Sequence, residues 1–428
     1  MVNVERLDAD GETSGPIDKY NMVYYSVMIV GFGVLMPWNM FITIAPEYYV
    51  HYWFTVNGTQ TWFSKEFMSS LSIAAQLPNA SINILNLFLV ISGPLIYRVL
   101  APVVANIANV AAVLAMVIFL TPSVGSMVAF FSATIVIVVL INISNGLYEN
   151  SVFGVFADFP HNYTSALVIG NNLCGLIISI LSIIVTILLP EDPKSVAIVY
   201  FGISLLILVF CGLALLNITR QEFYHYHHIR GMEVREKASH EKPSPAILWS
   251  AFTSSWPQLF NVWFSFSVTL TIFPVMTTAT SRSSDADIWD SYIPDHLFVH
   301  VTSFLVFNLF AFFGATLTSY VHFPSPRYLW ILVTLRALFV PFFFFCNYRL
   351  ADRVYPVYFE STGSFIAGGV LMALTSGYCS SLSMIYTPRV VQPSLSRFAA
   401  QLSVCCLMLG LFSGATFSLI IGRLIAWA

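Results

Sequence analysis

GVLMPWNMFITI, residues 33–44, sets proline, tryptophan and asparagine side by side within an apolar run that extends from 22 to 45. Whether that run lies in lipid decides the fold. A segment in hydrocarbon must satisfy its backbone polar groups internally, and proline removes one donor. Composition answers the question. Of 428 residues, 57% are hydrophobic and 9% charged, with mean hydropathy +0.78. A water-soluble domain carries about 25% charged residues, so this chain cannot cover a solvated surface. It reads as an all-α polytopic membrane protein. The net charge of −3 says nothing about nucleic acid, and no basic tract is long enough to suggest it as a partner.

Eleven apolar runs are long enough to cross about 30 Å of hydrocarbon. They cover 22–45, 67–92, 102–120, 126–148, 164–189, 195–217, 254–276, 298–321, 328–346, 361–386 and 398–424. A connection at 46–66 joins the first two. The polar stretch RQEFYHYHHIRGMEVREKASHEKPSP lies within 218–253 and reads as a cytoplasmic loop. It divides an N-terminal bundle of six helices (1–217) from a C-terminal bundle of five (254–428). With the N-terminus inside, inside segments hold eleven Lys and Arg and outside segments six, which favours a cytoplasmic N-terminus and an outside C-terminus. The sequon Asn57-Gly58-Thr59 then falls outside as a glycosylation candidate. The polar, acidic stretch 1–20 does not resemble a cleaved signal peptide, so the first run stays as a helix. All six cysteines lie in apolar runs, and no disulfide framework is implied.

Polar residues inside the spans must face protein or a water-filled cavity. Gln76, Asn79, Asn83 and Asn86 recur at spacings of 3, 4 and 3, along one helical face. That stripe suits either hydrogen-bonded helix contacts, about 0.6–2 kcal/mol each, or the wall of a solute path. Asn142, Asn145, Glu149 and Asn150 end the fourth span, and Glu149 is the one carboxylate clearly at membrane depth. It suits a substrate or proton role as well as structural pairing; Asp158 reads as solvated at the boundary. Asn171 and Asn172 lie beside glycine and read as close packing. Arg336 needs an acceptor at its depth, whether a carboxylate or free carbonyls, and Glu149 is the most attractive single candidate. Pro37, Pro78, Pro274 and Pro341 fall inside spans, where neighbours must satisfy the freed carbonyls. His225, His227 and His228 match no defined metal spacing and read as solvated loop. No catalytic or phosphate-binding motif is present, so the chain reads as neither an enzyme nor a cofactor protein.

With those stretches in view, the chain resembles the equilibrative nucleoside transporter family. GFGVLMPWNMFIT is similar to its G-x-G-x-LLPWN-x-FIT helix, and QLPNASINILNLFL to its PPN-x-x-x-NLLN pattern. ENSVFGVFADFPHNYTSALVIGNNLCG resembles the family's Q-x-S-x-FG…LP-x-x-YT segment. SVTLTIFPV, the FN…G of the eighth span, LRALFVPFFFFCN and GYCSSLSMIYTPRVV follow in family order. The resemblance runs along nearly the whole chain. It implies a major-facilitator-like fold of six plus five helices around a central cavity, moving nucleosides or nucleobases down their gradients. No acidic dileucine signal stands in the N-terminus or in 218–253, so the plasma membrane is the default address. By resemblance, Leu35, Trp38, Gln76, Asn79 and Leu411 line the cavity, with Trp38 able to stack on a base. Glu149 occupies the position of a base-contacting glutamine. Asn39, Ile42, Pro274, Phe304 and Asn308 fall where the path narrows.

One departure bears on substrate. The family's FN-x-x-D-x-x-GR reads here Phe307-Asn308-Leu309-Phe310-Ala311-Phe312-Phe313-Gly314-Ala315, so the charged pair that engages sugar hydroxyls in the family is lost. Losing both charges avoids an unpaired buried ion. Losing about 2–3 kcal/mol of charged hydrogen bonding would weaken ribose binding about 30- to 150-fold. Three readings follow. The first is facilitative nucleoside transport with altered ribose recognition. The second is a nucleobase or other solute carrier, coupled to protons through Glu149. The third is a membrane sensor or scaffold without flux.

Overall fold

The computed structural model describes residues 16–88, 95–156, 159–189, 192–238, 245–282, 292–318 and 320–425. Arg6, Asp158 and Lys242 lie outside the described residues, as does the side chain of Asn86. The apolar runs form helices. The first bundle contains α1 (Met22–Ile44), α2 (Trp62–Phe88), α3 (Leu95–Phe119), α4 (Met127–Phe156), α5 (His161–Leu188) and α6 (Pro193–Ile218). A polar helix α7 (Glu222–Ala238) follows. The second bundle contains α8 (Pro245–Ile272), α9 (Asp295–Leu317), α10 (Leu329–Phe344), α11 (Thr362–Tyr386) and α12 (Pro393–Leu424).

Among the described residues, nine helical segments are long and apolar enough to cross a membrane on hydropathy alone; α2 and α10 complete the eleven. The two exceptions have physical causes. α2 carries Lys65, Glu66 and the Gln/Asn stripe, which lower its hydropathy. α10 is short and tightens into a 3-10 turn at Arg336–Leu338. Pro341 cannot bond the carbonyl of Ala337, four residues back, and the tight turn accommodates that loss.

Local chemistry sets several boundaries. Asp192 caps α6 by accepting from the Lys194 amide at 3.0 Å, with Pro193 at the first helical position. The Ser195 hydroxyl, and then the two backbone amides, hold the Asp192 carboxylate below its usual range. At the other end, the Asp18 carboxylate accepts from the amides of Val23 and Tyr24, each at 3.0 Å, and from the Tyr163 hydroxyl at 2.9 Å.

Two expected loops are instead structured. In place of a loop over 46–66, α1 continues as a π-helix, Ala45–Trp53. Tyr48, Tyr49 and Trp53 are buried there, and Trp53 stacks on Phe130 with centroids 3.5 Å apart. A hairpin of β1 (Thr55–Val56) and β2 (Thr59–Gln60) then turns at Asn57-Gly58, both at positive φ (50° and 74°). This matches the Asn-Gly preference of tight hairpins. In the segment 218–253, α7 seats Phe223 and Tyr224 against Phe159 and Tyr163 of the first bundle. α8 begins at Pro245, nine residues before the expected start at 254. The histidine cluster lies on α7, where His228 stacks on Tyr224 and His227 packs against Phe223.

The helices pair tightly where glycine permits. α1 packs on α5, α2 on α4, α8 on α12 and α9 on α11. A Cβ at Gly170 would lie 1.9 Å from the Met28 carbonyl oxygen, and one at Gly377 2.0 Å from that of Ala311. Such contacts are the small-residue packing of membrane helices. Gly377→Val is therefore expected to abolish a monodisperse peak in fluorescence-detected size exclusion, whereas Gly202→Ala, with open space around its Cβ position, should retain it. A monodisperse Gly377→Val protein would contradict the close crossing.

Candidate functional site

The two bundles meet along α5, which presents Gly175, Ser179 and Ser182 on one face at spacings of 4 and 3. The second bundle answers with His300, Phe304 and Asn308 on α9 at spacings of 4. Asn308 Nδ2 donates to Ser179 Oγ at 3.0 Å and to its own Phe304 carbonyl at 3.0 Å. A Cβ on Gly175 would fall 2.1 Å from Asn308 Oδ1, so only glycine leaves room for this amide. One turn further, His300 Nδ1 and Ser182 Oγ are 3.0 Å apart and buried. On the first-bundle side, Asn39 Nδ2 donates to the Leu35 carbonyl at 3.1 Å and approaches Cys174 Sγ at 3.8 Å.

Apolar groups close around these contacts. Ile42 and Phe304 are buried in one cluster that spans both bundles, with Leu35 and Trp38 half-buried against it. Pro274 is buried at the break after α8. Its neighbour Phe273 stacks on Phe307 at 3.8 Å and meets Phe304 edge-on at 5.6 Å. The expected narrowing residues Asn39, Ile42, Pro274, Phe304 and Asn308 thus surround the junction of the bundles. Phe273, Phe307, Ser179, Ser182 and His300 belong there too and were not singled out from sequence. The signal available was the recurrence of 300, 304 and 308 on one helical stripe.

At the end that bears the β1–β2 hairpin, charges tie the bundles together. Lys65 pairs with Asp352, and Arg349 donates to the Lys65 carbonyl and lies 4.0 Å from Glu66. Arg349 also donates to the Gly422 carbonyl of α12 at 3.2 Å. The chain from Tyr348 to Arg353, which follows α10, therefore clamps the start of α2.

Gln76 and Asn79 are buried at 5% and 8% exposure. Asn79 Oδ1 accepts from Asn83 Nδ2 at 2.9 Å, and Asn83 Oδ1 accepts from Asn150 Nδ2 at 3.0 Å. Here the polar stripe joins α2 to α4; Asn106 and Asn145 join α3 to α4 in the same way, at 2.8 Å. Glu149, next to Asn150, is half-buried and has no hydrogen-bond or ion-pair partner among the described residues. Leu411 is half-buried on α12.

The expected pairing of Arg336 with Glu149 does not occur. Arg336, 1% exposed, donates to the Ser265 carbonyl at 2.9 Å and to Thr269 Oγ1 at 2.7 Å. Thr269 in turn lies 2.8 Å from Ser376 Oγ. The guanidinium is held within the second bundle by oxygens of α8. The Ser265 backbone carbonyl and the Thr269 hydroxyl, which itself donates to that carbonyl at 2.8 Å, supply the acceptors in place of the Glu149 carboxylate.

Comparison with known proteins agrees with this architecture. A family model described as nucleoside transporter matches residues 135–422. Equilibrative nucleoside transporter 2 of Homo sapiens is 27% identical over 96% of this chain and 99% of its own length. Equilibrative nucleoside transporter 1 of Homo sapiens is also 27% identical, over 94% and 97%. A crystal structure of the nucleoside transporter NupG superposes with TM-score 0.52 at 12% identity, covering 94% of this chain and 96% of that one. A POT family transporter in complex with a thioalcohol-conjugated peptide gives 0.58 at 12% identity, covering 95% and 94%.

The charged clamp yields a test. The Lys65–Asp352 pair is half-buried at the protein surface, and such a pair contributes about 1 kcal/mol, or about fivefold in the population of an opened state. With the other cysteines replaced by serine, Asp352→Lys should speed alkylation of buried Cys174 by up to about that factor. The charge swap Lys65→Asp/Asp352→Lys should slow it again. An unchanged rate in Asp352→Lys would show that the clamp does not hold this end shut.

Proposed function

The chain belongs to the equilibrative nucleoside transporter family, and on that premise we propose that it carries nucleosides down their gradients by rocking one bundle against the other. The observation that carries this reading is the junction along α5. There, Asn308–Ser179 and the Phe273–Phe304–Phe307 group seal one end by hydrogen bonds and ring contacts that can break and re-form. No step requires covalent chemistry or a cofactor. A carrier needs two packings of similar free energy, and a junction made of single neutral hydrogen bonds, about 0.5–1.5 kcal/mol each, suits that requirement.

With the N-terminus cytoplasmic, the sealed end is the outside and the protein faces inward. Asn57, exposed at the tip of the hairpin, is then open to glycosylation, and the plasma membrane is the membrane concerned. In this reading Leu35, Trp38, Gln76, Asn79, Glu149 and Leu411 border the substrate path, and the half-buried indole of Trp38 stacks on the base. Ala311 and Ala315 leave the sugar without a charged partner. Recognition then rests on the base and on neutral donors, and substrates with fewer sugar hydroxyls lose less affinity than in a site built around an ion pair.

Trp38→Ala should reduce saturable uridine and adenosine uptake about 5- to 150-fold at unchanged surface expression, since stacking on an aromatic contributes about 1–3 kcal/mol per base. Wild-type kinetics in that variant would mean that Trp38 does not border the path.

The unpartnered Glu149 favours a second reading, in which the carboxylate loads a proton together with the substrate. Protonation is driven by acid on the substrate-loading side, so uptake would rise as outside pH falls. Glu149→Gln mimics the protonated state permanently and would abolish that rise. Full uptake by Glu149→Gln at neutral pH, with the wild type equally active at acid and neutral pH, would exclude proton coupling.

A further inference from the structure

The two bundles repeat one contact plan without a sequence repeat. α1 packs on α5 as α8 packs on α12, and α2 packs on α4 as α9 packs on α11. In the first bundle α6 covers both α1 and α3. Their counterparts in the second bundle are α8 and α10, and among the described residues no helix covers these two in the same way. Their outer face carries stripes at helical spacing. Trp249, Phe252 and Trp256 are exposed on α8, and Ile331, Leu335 and Leu338 on α10.

The uncovered face is not flat. Between α8 and α10 lies a groove of about 730 Å³ that takes in Trp256, Gln258, Asn261, Arg327, Trp330 and Thr334. Trp256 and Trp330 stand at its sides, 57% and 51% exposed. In its wall, Gln258 donates to the Pro326 carbonyl at 2.7 Å and Asn261 donates to Gln258 at 3.2 Å. That leaves Asn261 Oδ1 buried as an acceptor with no donor. Such an orphaned acceptor in an apolar setting is costly unless a ligand supplies the donor.

The rim is cationic. Arg327 is exposed, lies 5.8 Å from the Tyr328 ring centroid, and has no carboxylate partner among the described residues. Arg389 is exposed beside Val390, which also lines the groove. The segments 245–281, 320–348 and 386–425, which build this side of the bundle, contain no Asp or Glu. Tryptophan flanks at a helix end, cations at the rim and an apolar slot below are the chemistry that a phospholipid meets at a membrane surface.

We propose that the groove between α8 and α10 is a binding site for an anionic phospholipid of the surrounding leaflet, which fills the place that α6 fills in the first bundle. Arg327 and Arg389 take the phosphate, an acyl chain lies between Trp256 and Trp330, and Asn261 Oδ1 accepts from a headgroup hydroxyl or ammonium. A charged contact at the membrane surface changes anionic lipid binding by about fivefold per arginine.

The test uses the full chain in nanodiscs of phosphatidylcholine doped with phosphatidylserine, extracted into mild detergent, with retained lipids identified by native mass spectrometry. Wild type should retain phosphatidylserine over phosphatidylcholine. Arg327→Gln/Arg389→Gln should lower that preference by about fivefold per arginine removed. Thr334→Trp keeps both arginines but fills the slot, and should lose the lipid even if the double variant fails to fold. Phosphatidylserine retained equally by wild type and Thr334→Trp overturns the proposal. So does a wild-type dimer that Thr334→Trp abolishes without any lipid retention, which would make a second copy the occupant.

Discussion

A polar group in hydrocarbon has no water to return to, and the arrangement of this molecule follows from where each one finds a partner. Asn79, Asn83 and Asn150 satisfy one another between α2 and α4, and Asn106 and Asn145 do so between α3 and α4. Those contacts lie within one bundle and hold it as a unit. Asn308–Ser179 and His300–Ser182 lie between bundles, on a helix face interrupted by Gly175. The first group ties helices within a bundle, and the second crosses the seam along which the proposed rocking would part the bundles. A carrier that works by alternating access needs this division of labour.

Much of this was legible in the sequence because lipid leaves composition little freedom. Charge content identified the class, and the apolar runs located the eleven helices within a few residues at most ends. The failures share a cause. The loop expected at 46–66 is polar on average, yet Tyr48, Tyr49 and Trp53 bury enough aromatic surface to carry α1 onward as a π-helix. A hydropathy average cannot see a ring stack. Arg336 was matched to Glu149 as the most attractive single acceptor, whereas the Ser265 backbone carbonyl and the Thr269 hydroxyl on α8 hold the guanidinium. Partner identity depends on which helices are neighbours, and a single sequence does not give that. The expected narrowing positions came from resemblance to a family; the recurrence of 300, 304 and 308 marks one helical face but not the helix that it meets.

The alanines at 311 and 315 acquire a structural meaning from the same packing. A Cβ at Gly377 would touch the Ala311 carbonyl oxygen and approach the Ala315 amide within 2.9 Å, so α9 and α11 cross at near-backbone contact there. Two small residues and a glycine on facing helices make a tight, dry crossing. The two alanines that stand where the family pattern carries its charged pair thus lie at a close helix crossing. In the proposed reading, substrate recognition rests on the first bundle, where Trp38, Gln76 and Glu149 lie.

The central claim is that flux follows the nucleoside gradient alone. Purified protein in liposomes, loaded with buffer and given labelled uridine outside, tests it through the final inside-to-outside ratio with and without an imposed acid-outside pH gradient. The account predicts a saturable approach to equal concentrations under both conditions, accelerated when unlabelled uridine is preloaded inside. Accumulation above equality that appears only with acid outside would contradict it and make the protein a proton-driven carrier.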